Sequence, residues 1–250
     1  MRKTILLIFV AINYISSQNL HVIYLNKTSK FTTFQEDLYI TKNNIISLRD
    51  SVVINSFDEK NSISSGTNEA MFFNKDKIYK IAYFKSHNDK VIYNNHIGED
   101  NFYIEDFLPP MNWNTTYEET KIIAGYKCNK ATIEYRGSKI TAFYSKDLKY
   151  NSGPYKFGGL NGLILEIIDN DNPEFNSWIA TVVDDNYMLN HKLPNIPNNT
   201  KTISLKEFLI LKNLKLEEDF NRKMSNLPTT VVITNNKLIR NGIEKKYEWE

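Results

Sequence analysis

The chain has 250 residues, with 31 Lys and Arg against 29 Asp and Glu and a net charge of +2. The basic residues are dispersed, so the positive patch of a nucleic-acid binder is absent. A single cysteine, Cys128, excludes an internal disulfide, and an aromatic content of 13% suits sheets with much half-buried surface.

The chain opens "MRKTILLIFVAINYISSQ". Arg2 and Lys3 give a positive start, Thr4 to Ile15 an apolar run, and Ser16-Ser17 a small-residue exit, the order of a secretory signal peptide over residues 1–17. The run is shorter than the ~20 residues that span a bilayer. No cysteine follows it to carry a lipid, and no later stretch approaches membrane-spanning length. The expected product is periplasmic or secreted, without a transmembrane segment, and residues 18–250 are expected to form a single β-rich domain. Three Asn-x-Thr triplets, at Asn26, Asn114 and Asn198, matter only in a eukaryotic secretory route.

From His21 to Val183 the pattern predicts short strands: "HVIYL" (21–25), "DLYIT" (37–41), "NIISL" (44–48), "KIYKIAYF" (77–84) and "VIY" (91–93). Residues 56–70 are polar and read as a loop, and Pro109-Pro110 breaks the chain. Ala131, Ile133 and Tyr135 then alternate with Lys130, Thr132 and Glu134, which predicts a strand with one face inside. Gly137-Ser138 is expected to turn it back into Ile140–Tyr144. A second hairpin pairs 163–169 with 178–183 around "NDNPEF". Pro194 and Pro197 mark an exposed connector. Ser204 with Glu207 forms a capping box and predicts a helix from Leu205 to about Met224, with Leu205, Phe208, Leu209, Leu216 and Phe220 on one apolar face. "TTVVIT" (229–234) reads as a last strand, and the charged tail from about residue 235 as mobile.

Four of the 9 glycines lie between Gly153 and Gly162, in "GPYKFGGLNGLILEIID" (153–169). A phosphate-cradling loop needs Lys and Ser or Thr after its last glycine, whereas Leu160 and Asn161 follow Gly159. The dinucleotide spacing is also missing, and Ile164, Ile167 and Ile168 favour a strand. The cluster therefore reads as a turn at Gly153-Pro154, a tight bend at Gly158-Gly159 and a close approach at Gly162.

This stretch resembles the signature of the GLPGLI family, with Gly159 to Ile164 on the six residues of its name and Asn161 in place of proline. The likeness extends over "ETKIIAGYKCNKATIEYRGSKITAFYSKDL" (119–148), with Gly125, Tyr126, Cys128, Ala131, Arg136 and Gly137, and then Gly153 and Pro154, as structural signature positions. Trp113 matches a frequent tryptophan, and Gly242 replaces a usual proline. The resemblance implies an exported protein of Gram-negative bacteria without established activity. It implies a mainly β (α+β) fold: a curved antiparallel sheet or half-barrel with one C-terminal helix packed against it, by analogy with periplasmic lipoprotein carriers. It supplies no catalytic residue, cofactor or metal.

No catalytic pattern stands out. Cys128 reads as a half-buried structural thiol on the outward phase of Lys130 and Thr132. His87 and His96, with Glu99 and Asp100, lack metal-site spacing and read as exposed loop residues. The pairs Glu36-Asp37 and Glu118-Glu119 and the run Glu217-Glu218-Asp219 read as solvated charge. No Gly-x-Ser-x-Gly elbow is present. Tyr155, Phe157, Gly158, Gly159, Leu160, Asn161 and Gly162 are the candidate binding residues, with the rings of Tyr155 and Phe157 expected to be exposed beside glycines. The resulting expectation is a non-catalytic module docking to an envelope or outer-membrane protein, or alternatively a periplasmic carrier of an apolar small ligand, without a cofactor.

Overall fold

A computed structural model describes residues 19–29, 32–55, 80–86, 89–225, 240 and 242–250. The N-terminal leader, the 56–70 loop, His87 and the strand expected at 229–234 lie outside the described residues.

The elements are β1 (Leu20–Lys27), β2 (Thr32–Ile40), β3 (Ile45–Asn55), β4 (Ile81–Lys85), β5 (Lys90–Ile97), β6 (Asp100–Phe107), β7 (Thr120–Ile123), β8 (Tyr126–Tyr135), β9 (Ser138–Ser145), β10 (Leu163–Asp169), β11 (Ser177–Asp184), β12 (Thr202–Ser204) and α1 (Leu205–Ser225). The strands form one open sheet in the order β12-β6-β5-β4-β3-β2-β1-β11-β10-β9-β8-β7. Its pairs are antiparallel except β12 on β6, which is parallel. Among the described residues the fold is thus mainly β with a single C-terminal helix.

Side-chain period explains the strands. In β1, Leu20, Val22 and Tyr24 are fully buried while the residues between them are only partly covered. Register shifts at Ile23/Tyr24, Thr33/Phe34, Gln35/Glu36 and Ile164/Glu166 mark bulges that bend the sheet and increase its twist. In β8, Ala131 and Tyr135 are buried and Ile133 is packed at the edge of the same core.

The hairpin between β8 and β9 turns one residue earlier than the glycine suggested. Its two-residue loop is Arg136-Gly137, with φ of 44° and 80°, and Ser138 is already a buried residue of β9. Positive φ at both central residues is the turn that matches the twist of a hairpin. Ala124-Gly125 repeats the device between β7 and β8, with φ of 48° and 86°. The second expected hairpin is present as β10 and β11, pairing Glu166 to Ile168 with Ile179 to Ser177.

The helix begins at the capping box. The Ser204 amide donates to Glu207 Oε2 (2.8 Å) and the Glu207 amide donates to Ser204 Oγ (3.2 Å). Among the described residues, its buried apolar side chains lie in the first two turns. Leu205 and Phe208 join Ile81, Tyr83, Val91, Tyr93 and Ile104, whereas Leu216 and Phe220, expected on the inner face, are exposed because the helix runs past the sheet edge. Among the described residues no helix is long and apolar enough to cross a membrane. The C-terminal residues 242–250, expected to be mobile, lie against the body, with Ile243 and Tyr247 buried.

Candidate functional site

The segment between β9 and β10 folds back over the sheet instead of projecting from it. Its stem is held by Leu163 N–H donating to the Leu148 carbonyl (3.0 Å) and Ile164 N–H to that of Ser152 (2.9 Å). Gly162 has φ +148°, and a Cβ there would collide with the Ser145 carbonyl, so glycine is required where β10 begins. The Trp113 indole N–H donates to the Gly158 carbonyl (2.8 Å), and Asn151 Oδ1 accepts the Gly159 amide (2.5 Å).

The two rings expected to be exposed point inward. Phe157 is 1% exposed and meets Tyr135 at 5.3 Å, Trp178 at 6.2 Å and Trp113 at 6.4 Å between ring centres. Tyr155 is half-buried and lies between Tyr83 (4.9 Å) and Trp178 (5.5 Å). Leu160 is also buried, while Gly159 and Asn161 are exposed and Gly158 is half-buried. Burying such rings is worth several kcal/mol, about 3–5 for a Phe truncated to Ala, which exceeds what an exposed loop position offers. The loop's own rings therefore fill the inner side of the sheet.

Beneath the loop lies the first of two charged clusters. Glu36 of β2, expected on a solvated face, is fully buried. It accepts from Asn26 Nδ2 (3.1 Å), Ser47 Oγ (2.6 Å), the Tyr155 amide (2.5 Å) and the Trp178 indole N–H (2.7 Å), so its lone pairs are satisfied without water. Asp37, likewise buried, accepts from Gln35 Nε2 (2.9 Å) and faces His21 Nε2 at 2.7 Å.

The second cluster joins four segments distant in sequence. Lys156, on the loop, contacts Asp106 Oδ2 of β6 (2.8 Å) and Glu244 Oε2 of the C-terminal tail (2.9 Å). Arg136, from the β8–β9 turn, grips Asp106 with two bonds (2.8 and 2.9 Å) and reaches Glu244 Oε1 at 2.6 Å. Burial pushes the Asp106 and Glu244 carboxyls up, but the two cations outweigh it and hold both below the usual carboxylate range. Both cations remain charged despite burial, because these carboxylates oppose its effect. This network explains why the charged tail is docked.

Beside the loop is a cavity of about 390 Å³. Its wall includes Phe157, Gly158 and Gly159 together with Lys85, Asp89, Lys90 and Asn151. Lys85, at the end of β4, donates from Nζ to the carbonyls of Gly153 and Phe157, the latter at 3.2 Å. Burial pulls its ammonium down to about 7, against the raising effect of Glu36. Lys90 is paired with Glu105 at 2.7 Å. Asp89 is exposed, with a φ of 52°. The Asp89 carboxylate and the Lys85 amine, the latter pulled toward neutrality by burial, thus line one pocket, and together they offer a proton acceptor and a cation for a developing negative charge. Neither residue was singled out in the sequence. Lys85 ends an ordinary strand, and only the fold brings it to the glycine loop.

The other sequence candidates are not brought to this pocket. Cys128 is fully buried instead of turned outward, and burial pushes its thiol up to about 11, which makes it a poor nucleophile. His96 has its pKa lowered by burial. Among the described residues no group of three or more His, Cys, Asp or Glu is gathered where it could hold a metal ion.

Residues 12–207 match the family described as "N-glycanase peptide, N-terminal domain". The chain belongs to this family. The match to a domain family named for an N-glycanase runs against the expectation of a non-catalytic module or carrier. Two solved structures of PNGF-II, from different crystal forms, are similar at 18% and 19% identity, with TM-scores of 0.49 and 0.44. They cover 79% and 80% of this chain but 34% and 33% of their own, so the chain spans about a third of the PNGF-II length. An uncharacterised conserved protein from Thermus thermophilus is similar at 7% identity and a TM-score of 0.38, over 76% of this chain and 91% of that one. No curated protein matches.

Proposed function

We propose that this chain works in the release of N-linked glycans from glycoproteins, with the pocket at the glycine loop receiving part of the substrate beside the bond that is cleaved. The observation that carries this reading is membership of the N-glycanase N-terminal domain family over residues 12–207. The geometry supports it. A cavity of about 390 Å³ is within the size range of small-ligand sites, and its wall combines a carboxylate, amines and an amide. In a hydrolysis of the link between asparagine and the first sugar, Asp89 would relay a proton. Lys85 in its charged form would stabilise the oxygen on which negative charge develops.

We further infer that the chain is exported, on the signal-peptide pattern of residues 1–17, which would place it where glycoproteins are met outside the cell. The GLPGLI likeness of residues 119–164 belongs to this reading too: it supports a shared architecture for the loop that roofs the pocket.

The test is to incubate the folded chain with a denatured N-glycoprotein and follow glycan loss by mass spectrometry. Loss of glycan is expected. Asp89→Asn and Lys85→Gln should each reduce it by about a hundredfold or more, the usual contribution of a positioned acid or base. A glycoprotein that stays intact at stoichiometric protein, with no detectable glycopeptide binding, overturns the reading.

A further inference from the structure

We propose that the pocket at the glycine loop selects acidic sugars, those bearing a carboxylate or a sulfate group, over neutral ones. The inference rests on the N-glycan reading above and narrows it to a substrate class.

Four lysines, Lys85, Lys90, Lys149 and Lys156, contribute to the wall, against one acidic side chain, Asp89. Two of the four are neutralised from behind, Lys90 by Glu105 and Lys156 by Asp106 and Glu244. Among the described residues, Lys85 and Lys149 have no carboxylate within ion-pair distance. Asp89 offsets one of these two charges and Glu36 acts on Lys85 from beneath the loop, so the surplus positive charge at the pocket is that of a single lysine.

Lys85 carries the argument. Below about pH 7 its amine is the ammonium, with three donors. Two are taken by the carbonyls of Gly153 and Phe157, which hold the side chain at the loop but supply no opposite charge. The third is left for the pocket. An anionic oxygen there would make a charge-assisted hydrogen bond, roughly twice as strong as a neutral one. Asn151 adds to the same side: its Oδ1 is engaged by the Gly159 amide, so its NH₂ group is what it offers a ligand. An anionic group would favour the charged form of Lys85 in a partly dehydrated wall, which a neutral hydroxyl does not, and that difference is what discriminates.

The experiment uses the full chain, ¹⁵N-labelled, titrated separately with N-acetylneuraminic acid, N-acetylglucosamine and sodium sulfate. The acidic sugar should shift the amides of Lys85, Asn151 and Gly159 and bind about tenfold or more tightly than the neutral sugar. Lys85→Gln should bring it down to the neutral level. Lys149→Ala, at an exposed position that leaves the fold intact, should weaken it less. Equal binding of both sugars, or undiminished acidic-sugar binding in a folded Lys85→Gln, overturns the proposal. Sulfate binding as tightly as the whole acidic sugar also overturns it, since the site would then read a free anion. A sialylated N-glycopeptide and its desialylated twin separate the two readings. Equal binding of the twins sinks acidic selectivity and leaves the N-glycan reading standing. Binding of the free acidic sugar with neither glycopeptide bound sinks the N-glycan reading and leaves the selectivity.

Discussion

Replacing Lys156 by methionine tests whether the buried ionic network, rather than the ring packing alone, ties the glycine loop to the sheet. The Lys156 side chain is 1% exposed and its ammonium touches both Asp106 and Glu244, which are 2% and 9% exposed. Methionine keeps the length and the apolar stem but removes the charge. Arg136 is then the one buried cation facing two buried carboxylates, with Glu248, at 42% exposure, on the rim. Breaking a buried pair in this way costs about 3–5 kcal/mol, because a desolvated charge is left behind. That is a large part of the ~5–15 kcal/mol total of a typical domain. Urea unfolding followed by tryptophan fluorescence at about pH 7 should show a midpoint lower by roughly 1–2 M at unchanged slope. The pH dependence follows from the same groups. In the wild type the two carboxyls sit below their ordinary range, so their contribution is present above the unfolded value and is lost as pH falls through the folded one. Without Lys156, burial prevails for one of them, which then binds a proton more readily folded than unfolded. The gap between wild type and variant should therefore shrink as pH falls from about 7 toward 5. Adding Glu244→Gln to Lys156→Met removes the surplus charge and should recover part of the loss. A loss below about 1 kcal/mol that does not vary with pH would refute this account of the network.

Gly162→Ala should destabilise the chain by about 3 kcal/mol or prevent folding, since a Cβ meets the backbone of Ser145, which cannot move aside; thermal unfolding measures it, and a shift of only a few degrees would contradict the assignment. Cys128 should resist thiol reagents at about pH 8 in the folded chain and react on unfolding, because burial holds its thiol near 11; prompt reaction in the native state would contradict that placement. Lys85 should titrate near 7 when its Cε is followed by NMR. An amine depressed in the fold binds fewer protons there than in the unfolded chain. Relative to Lys85→Met, the wild type should thus gain stability as pH rises from about 7 toward 10. A gap that stays constant across that window would contradict the burial of Lys85.

What the sequence made legible was local. The alternation at Ala131, Ile133 and Tyr135, the polar break "NDNPEF" and the Ser204–Glu207 box each act within a few residues, so strand, hairpin and helix start could be read directly. The turn at Arg136-Gly137 was displaced by one residue because a non-glycine accepts positive φ when its side chain is anchored, here by Asp106 and Glu244. Glu36 looked solvated because its four donors come from β1, β3, the glycine loop and β11, and no spacing reveals them. Tyr155 and Phe157 were expected outside for the same reason: the pocket of rings that receives them is assembled from Tyr83, Trp113, Tyr135 and Trp178. The pocket itself needs Lys85 and Gly153, 68 positions apart, to meet, which only the register and curvature of the sheet bring about. The helix was read correctly in place but not in contact, since an apolar stripe does not tell how far a neighbouring sheet extends.

Titration of the ¹⁵N-labelled chain with a defined N-glycopeptide tests the role of the pocket most directly. Saturable shifts confined to Lys85, Asp89, Asn151, Gly158 and Gly159, and absent with the same peptide lacking its glycan, are the predicted result. Shifts scattered elsewhere on the sheet, or identical with the bare peptide, would contradict it.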